Sequence, residues 1–267
     1  MTKELITAIE AVKIAGKNAR RSFGKLSASH ISLKDRNDFV TVVDKRCEEM
    51  AISAIKKRFP YDSVMGEEGS LEPGTSGRQW VIDPLDGTLN FIHSFPTFSI
   101  SIALVDETGD ILVGAIYHPM LKELFTAERG RGAYYNNHRV HVTKNYRSEN
   151  LMLATGFPYK EYEHLETYLG ALKDIIKETA GIRRPGSAAL DLAYTACGRF
   201  DGFFEYNLNK WDIAAGALIV REAGGTVTDF KGDNGFLESG NIIATNGKIH
   251  VWLLEKLQQH FGLNFEK

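Results

Sequence analysis

The chain has 267 residues, of which 43% are hydrophobic and 25% charged. That is enough apolar material for one large domain or two closely joined lobes, and too much for a disordered chain. A net charge of -2 argues against nucleic acid as a direct ligand, since domains that bind it usually carry a clear basic excess.

The two cysteines, Cys47 and Cys197, fall in separate helical patterns. They read as small buried hydrophobes in a reducing compartment, not as a disulfide framework. The N-terminus runs straight into an amphipathic pattern, without the basic start, apolar stretch and small-residue site of a signal peptide. No apolar run approaches the ~18 residues that span a bilayer. The expectation is a soluble cytoplasmic protein with no membrane partner.

Leu5, Ile9, Val12, Ala15 and Ala19 recur at helical spacing, and Gly24 is placed to end that helix. Residues 30–38 read as a short strand and a polar turn. A helix over 41–59 follows, with Val43, Cys47, Met50, Ala54 and Ile55 inward and Pro60 as its stop. A strand over 63–66 leads to Glu67-Glu68, and the Gly-, Ser-, Pro- and Thr-rich stretch 69–79 reads as a mobile loop. Strand 79–82 then ends in Asp83-Pro84-Leu85-Asp86-Gly87-Thr88-Leu89-Asn90.

Between 97 and 105, Phe98, Ile100, Ile102 and Leu104 alternate with Thr97, Ser99, Ser101 and Ala103, the pattern of a half-buried strand. Strands over 111–117 and 123–127 follow short turns, which predicts an antiparallel meander. Arg129-Gly130-Arg131-Gly132 lacks the Gly-Lys-Ser/Thr of a phosphate-binding loop and reads as a hairpin turn. His138 and His141, without further soft ligands nearby, read as surface residues and not as a zinc site.

From about residue 146 strands and helices alternate. The pattern predicts a strand over 151–155, helices over 161–178 and 187–198, a strand over 202–205, and a helix over 211–223. Strands over 226–230 and 241–245 and a helix over 248–260 complete it. The expected organisation is an N-terminal α+β lobe over 1–145, with an antiparallel sheet and most of the acidic candidates, and a smaller α/β lobe over 146–267.

Asp83 and Asp86 follow an apolar strand, with Pro84 constraining the backbone between them. Gly87 leaves room for an anion, and Thr88 opens a segment whose first N–H groups lack intrahelical partners and suit phosphate oxygens. Asp-Gly alone would be an ordinary turn, and Asp212, after Trp211, would alone be a first-turn acid favoured by the helix dipole. Convergence of Glu67, Asp83, Asp86 and Asp212 changes that reading. Two like charges ~4 Å apart repel by roughly 4 kcal/mol at an effective dielectric near 20. A hard divalent cation relieves this, and all-oxygen ligands point to Mg²⁺, with Mn²⁺ also compatible, over zinc or copper.

Gly66-Glu67-Glu68, residues 80–90 and residues 211–225 closely resemble the three signatures of the inositol monophosphatase family. Asn37-Asp38-Phe39-Val40-Thr41 with Asp44, and Gly186-Ser187-Ala188-Ala189 with Asp191, are similar to further family segments. The resemblance covers nearly the whole chain and is nearest to the bacterial inositol-1-monophosphatase branch. It implies an αβαβα layered sandwich of the inositol monophosphatase and fructose-1,6-bisphosphatase type, of mixed α+β and α/β character. It also implies Mg²⁺-dependent hydrolysis of a phosphomonoester, with two or three ions, lithium sensitivity and a homodimer.

Carried over position by position, Glu67, Asp83, Asp86, Asp212 and the Leu85 carbonyl fall at the family's metal-ligand positions. Thr88, helped by Asp44, falls where the attacking water is oriented. The N–H groups of Gly87 and Thr88 fall at the phosphate site, and Glu205 and Ala188 at contacts to the sugar-like ring. Animal members carry a lysine five residues before the Asp38 position. Here that residue is Leu33, and Lys34 stands one residue further on.

The expected reaction is in-line attack by a metal-activated water on inositol 1-phosphate. Asp83-Pro84-Leu85-Asp86 lacks the Asp-x-Asp spacing of aspartyl-phosphate phosphatases, so no phosphoenzyme is expected. Fructose 1,6-bisphosphate and 3′-phosphoadenosine nucleotides remain alternative substrates within the superfamily. A regulatory protein of transcription complexes that keeps the fold is the non-enzyme alternative. Arg183-Arg184 is a candidate partner or dimer surface, weighed against an ordinary solvated turn.

Overall fold

The computed structural model describes residues 1–35, 38–159, 162–263 and 265, apart from the side chains of residues 34, 35 and 38. Helix α1 (Lys3–Ser22) begins where the Thr2 hydroxyl accepts the Leu5 N–H at 3.2 Å. It ends at Ser22, with Phe23 as its C-cap and Gly24 next at φ +71°. Strands β1 (Ile31–Asp35) and β2 (Asp38–Thr41) form a separate antiparallel ribbon that feeds α2 (Val42–Lys56).

The remaining N-terminal elements are β3 (Ser63–Gly66), β4 (Leu71–Glu72), β5 (Gln79–Asp86), α3 (Thr88–Ile92), β6 (Ser99–Val105), β7 (Ile111–His118), β8 (Glu123–Glu128), β9 (Ala133–Tyr135) and β10 (His138–Val140). They build an eight-stranded sheet of order β10-β9-β8-β7-β6-β5-β3-β4. All its pairings are antiparallel except β3 with β5.

The second half supplies β11 (Met152–Thr155), α4 (Leu165–Glu178), β12 (Gly181–Arg183), α5 (Ala188–Ala196), β13 (Gly202–Glu205), α6 (Lys210–Glu222), β14 (Thr226–Thr228), α7 (Phe236–Ser239), β15 (Ile242–Thr245) and α8 (His250–Phe261). Its sheet has the order β12-β11-β13-β15-β14.

Three apolar clusters show how the layers stack. One joins α1 and α2 to the first sheet through residues such as Val12, Ile55, Trp80 and Ile102. A second lies around α5 and α6, between the two sheets. The third joins the second sheet to α4 and α8 through Tyr168, Phe204, Ile243 and Leu253. This is the expected αβαβα sandwich, with α5 and α6 as the shared middle layer.

That middle layer corrects one expectation. Strand β6 is buried on both faces: Ile100, Ile102 and Leu104 face α1, and Ser99, Ser101 and Ala103 are equally covered. Their small side chains let α6 come down onto the sheet, and Ser101 Oγ donates to the Trp211 carbonyl at 3.3 Å. The stretch 69–79 differs as well. It contains β4, paired to β3, and Thr75 and Ser76 both donate to the Tyr61 carbonyl, at 2.8 and 3.1 Å. Helix α4 starts at Leu165, four residues later than its pattern suggests. Strand β12 and helix α7 are too short to carry a periodicity. Among the described residues no helix is long and apolar enough to cross a membrane.

Helix α6 approaches the sheet so closely that a Cβ on Gly114 of β7 would lie 2.7 Å from the Ala215 carbonyl oxygen. Backbone cannot yield as a flexible side chain can. Gly114→Ala should therefore cost about 1–3 kcal/mol in urea unfolding, the usual range for overpacking. An unchanged midpoint and slope would show that α6 has room to move.

Candidate active site

Strand β5 carries buried Trp80, Val81 and Ile82 to Asp83, then bulges. Its register against β6 shifts between Asp83, opposite Ser101, and Asp86, opposite Ser99. The extra residue breaks the strict alternation of side chains, so both carboxylates serve one space. Within the bulge Asp83 accepts the Leu85 N–H at 2.9 Å. Gly87 follows at φ +100°, where a Cβ would lie 3.0 Å from the Thr97 carbonyl and 3.1 Å from the Gly186 carbonyl. Only glycine meets both demands.

Thr88 opens α3. Its hydroxyl lies 2.9 Å from Asp44 Oδ1 and 3.1 Å from the Leu85 carbonyl. It has one proton, so it donates to one of them and keeps lone pairs for another partner. Asp44 itself is the third residue of α2. Its Oδ2 accepts from the Thr41 N–H at 3.0 Å and from the Thr41 hydroxyl. Asp44 thus caps α2 with one oxygen and orients Thr88 with the other. Burial raises its pKa, and its Thr41 and Thr88 donors oppose that rise.

Glu67 leaves β3 with its N–H donating to the Ile82 carbonyl at 3.1 Å, which sets it beside Asp83. Asp212 stands in the first turn of α6, where its Oδ2 accepts the Asn209 N–H at 2.7 Å. Asp86 reaches across to α5: its Oδ2 accepts from Ser187 Oγ at 2.5 Å and from the Ala189 N–H at 2.8 Å. The expected sequence positions therefore meet at the seam between the first sheet and the middle helices. Glu67, Asp83, Leu85, Asp86, Gly87, Thr88, Ala188, Glu205 and Asp212 all line one cavity of about 200 Å³. Asp44 stands behind Thr88. Lys34 belongs to β1, and its side chain lies outside the described residues.

The electrostatics report the same convergence. Asp83 is 1% exposed. Burial, then the charges of Glu67, Asp86 and Asp212, hold its carboxyl well above the ordinary carboxylate range. Burial also raises Asp86, to about 6, against the pull of Ser187, the Ala189 and Ala188 N–H groups and Arg184. Glu205 closes β13 against Gly156, and burial with the charges of Asp212 and Asp86 raises it to about 8, with Arg184 opposing. Among the described residues no three acidic, histidine or cysteine side chains are already drawn into a metal-binding arrangement. Asp83, Asp86 and Asp212 each have an oxygen held by a protein donor. The cavity suits a hard divalent cation by the chemistry of its donors, and not by a preset geometry.

Two groups were not assigned to the site from sequence. Arg184 lines the carboxylate cavity and a wider adjoining one of about 540 Å³. Its guanidinium lies 5.8 Å and 5.5 Å from the ring centres of Phe157 and Tyr159. A lone arginine pair in a turn gives no sign of that. Asn90 donates to the Thr97 and Pro185 carbonyls at 2.8 and 2.9 Å, tying the end of the acidic motif to the turn before α5. Arg129-Gly130-Arg131-Gly132 is the β8–β9 turn, and the Gly130 and Gly132 N–H groups donate to Glu222. His138 is exposed on β10.

A five-layer αβαβα fold with this acidic seam defines a family. The model of the inositol monophosphatase family matches residues 1–261, and the chain belongs to that family. The "Nus factor SuhB" of Pseudomonas aeruginosa is 43% identical over 265 residues, 97% of this chain and 97% of the relative. The "Inositol-1-monophosphatase" of Mesorhizobium japonicum is 40% identical over 252 residues, 94% of each chain. Among solved structures, the extragenic suppressor protein suhB from Bartonella henselae superposes with a TM-score of 0.92 at 42% identity. That match covers 97% of this chain and 99% of the other.

The raised carboxyls give a pH dependence. Folded chain keeps protons on Asp86 and Glu205 that unfolded chain has released. Their stabilising contribution is complete below about pH 4. It is lost as pH rises through about 6 for Asp86 and about 8 for Glu205. With divalent cations chelated, the melting temperature should fall from about pH 4 to about pH 8, and Glu205→Gln should flatten the part above about pH 6. A wild type and variant differing by the same amount at every pH would contradict this.

Proposed function

We propose that the chain is a Mg²⁺-dependent phosphomonoesterase whose principal substrate is inositol 1-phosphate. The observation that carries this reading is the buried Asp83 carboxyl, raised by Glu67, Asp86 and Asp212 in a cavity rimmed by Thr88. Glu67, Asp83, Asp86, Asp212 and the Leu85 carbonyl would hold the magnesium. When bound, it supplies the positive charge that makes water acidic enough to attack and that offsets charge building on the leaving oxygen.

The chain's own groups do the rest. The Thr88 hydroxyl, held by Asp44, fixes the direction of the attacking water. The Gly87 and Thr88 N–H groups face the phosphate oxygens. The Ala188 backbone and Glu205 meet a hydroxyl of the leaving group. Glu205 favours a neutral polyol over the second phosphate of a sugar bisphosphate or a 3′-phosphoadenosine nucleotide, because the burial and the Asp212 and Asp86 charges that raise it to about 8 also disfavour a further anion there. Homodimeric assembly, lithium inhibition and a cytoplasmic setting go with this reading. The unpaired Cys47 and Cys197 agree with a reducing compartment.

The relatives named Nus factor SuhB favour a second role, as a partner in a transcription complex. The two roles are compatible, because a docking surface need not involve the carboxylate cavity.

Phosphate release from inositol 1-phosphate should require Mg²⁺, and Asp83→Asn should lower kcat/KM at least about a hundredfold, beyond the effect of losing a supporting residue around a metal. Equal rates for wild type and variant would sink the assignment. Higher kcat/KM for fructose 1,6-bisphosphate or a 3′-phosphoadenosine nucleotide would overturn the substrate.

A further inference from the structure

Buried acids in this protein usually serve the fold. Asp62 accepts from Arg78 and from the Trp80 indole N–H. Asp201 accepts from Thr143, Asn145 and the Met152 N–H. Asp229 ties its own turn through the Lys231 and Asp233 N–H groups. Asp191 breaks this pattern. It lies one turn into α5, four residues after the Ser187 cap, and is 1% exposed. Its Oδ1 has no hydrogen-bond partner. A buried polar atom left in that state is costly and uncommon.

The position of Asp191 indicates what its oxygen serves. Asp191 lines the carboxylate cavity together with Ala188 and Glu205. After burial, Glu205 and Asp86 are the charges that most raise its pKa, so it stands on the side of the cavity they share. A phosphate there would bring a further anion into a poorly solvated space beside Asp86 and be repelled. A hydroxyl group satisfies the oxygen without bringing charge.

We infer that Asp191 is a specificity-determining residue, whose Oδ1 takes a hydrogen bond from a hydroxyl of the leaving group and forms a second carboxyl subsite beside Glu205. The site then selects phosphate esters of polyols carrying more than one free hydroxyl. This rests on the phosphomonoesterase reading above. It adds a determinant that acts on the leaving group and leaves the phosphate and the attacking water untouched.

The experiment compares kcat/KM for inositol 1-phosphate and for phenyl phosphate, whose leaving group offers no such hydroxyl, in wild type, Asp191→Leu and Asp191→Asn. Thermal melting of each variant checks the fold. Asp191→Leu should lose about ten- to a hundredfold on inositol 1-phosphate, the cost of leaving a buried hydroxyl without its acceptor. Its loss on phenyl phosphate should be less than about threefold, since that ester makes no such bond. Asp191→Asn, which keeps the side chain's shape, should show the same split at smaller size.

Equal losses on both esters would assign Asp191 to the fold or to support of Asp86 and overturn the inference, as would an undiminished rate on inositol 1-phosphate. A wild type that hydrolyses neither ester with Mg²⁺ would overturn the phosphomonoesterase reading too, and so is distinguishable from failure of this inference alone.

Discussion

Asp83 sits nearly without water, with three other acids contributing to its charge environment. The rest of the structure can be understood from what it takes to keep that arrangement folded. Repulsion among carboxyls in a poorly solvated space is worth several kcal/mol, so the layers around it must be rigid. On one side α1 and α2 press the first sheet from behind. On the other, α6 is laid on β6 and β7 through small residues, with the Ala215 backbone against Gly114. The Ser101 hydroxyl takes hold of Trp211, the residue before Asp212. A larger residue at Ser101 or Gly114 would push Asp212 away from Asp83.

The acids are placed by ordinary helix chemistry. Asp44 and Asp212 both occupy the third position of a helix and accept from the backbone N–H of the capping residue. For Asp212 the helix-dipole reading and the functional one, competitors in the sequence, therefore describe the same residue. One oxygen fixes the helix start; the other oxygen of Asp44 reaches Thr88, and Asp212 also lines the cavity. Asp86 joins β5 to α5 in the same way, through Ser187 and the Ala189 N–H. The motif at the end of β5 cannot act by itself. It supplies Asp83, Asp86 and Thr88, while Glu67 follows β3 and Asp212 comes from the middle layer.

Much of this was legible in the sequence. The apolar runs place β5, β7, β8, α1, α2 and α6, and the acids at their ends mark the cavity. What was not legible depends on partners distant along the chain. Ser99 and Ser101 look like the wet face of a half-buried strand, because alternation cannot show that a helix more than a hundred residues later will cover them. Arg184 looks like turn surface until Phe157 and Tyr159 are seen beneath it. The stretch 69–79 has a loop's composition, but its backbone pairs with β3 and Tyr61. Composition reports the cost of order and not the hydrogen bonds that offset it.

The proposed cation site draws acids from separate parts of the chain to one seam. Calorimetric titration of metal-stripped protein with Mg²⁺ tests it most directly, comparing wild type with Asp83→Asn and Asp212→Asn. Both variants should bind at least about tenfold more weakly than wild type, the smaller end of the loss seen even for supporting residues. An Asp212→Asn protein that binds Mg²⁺ as tightly as wild type would contradict the account, because α6 would then contribute nothing to the site.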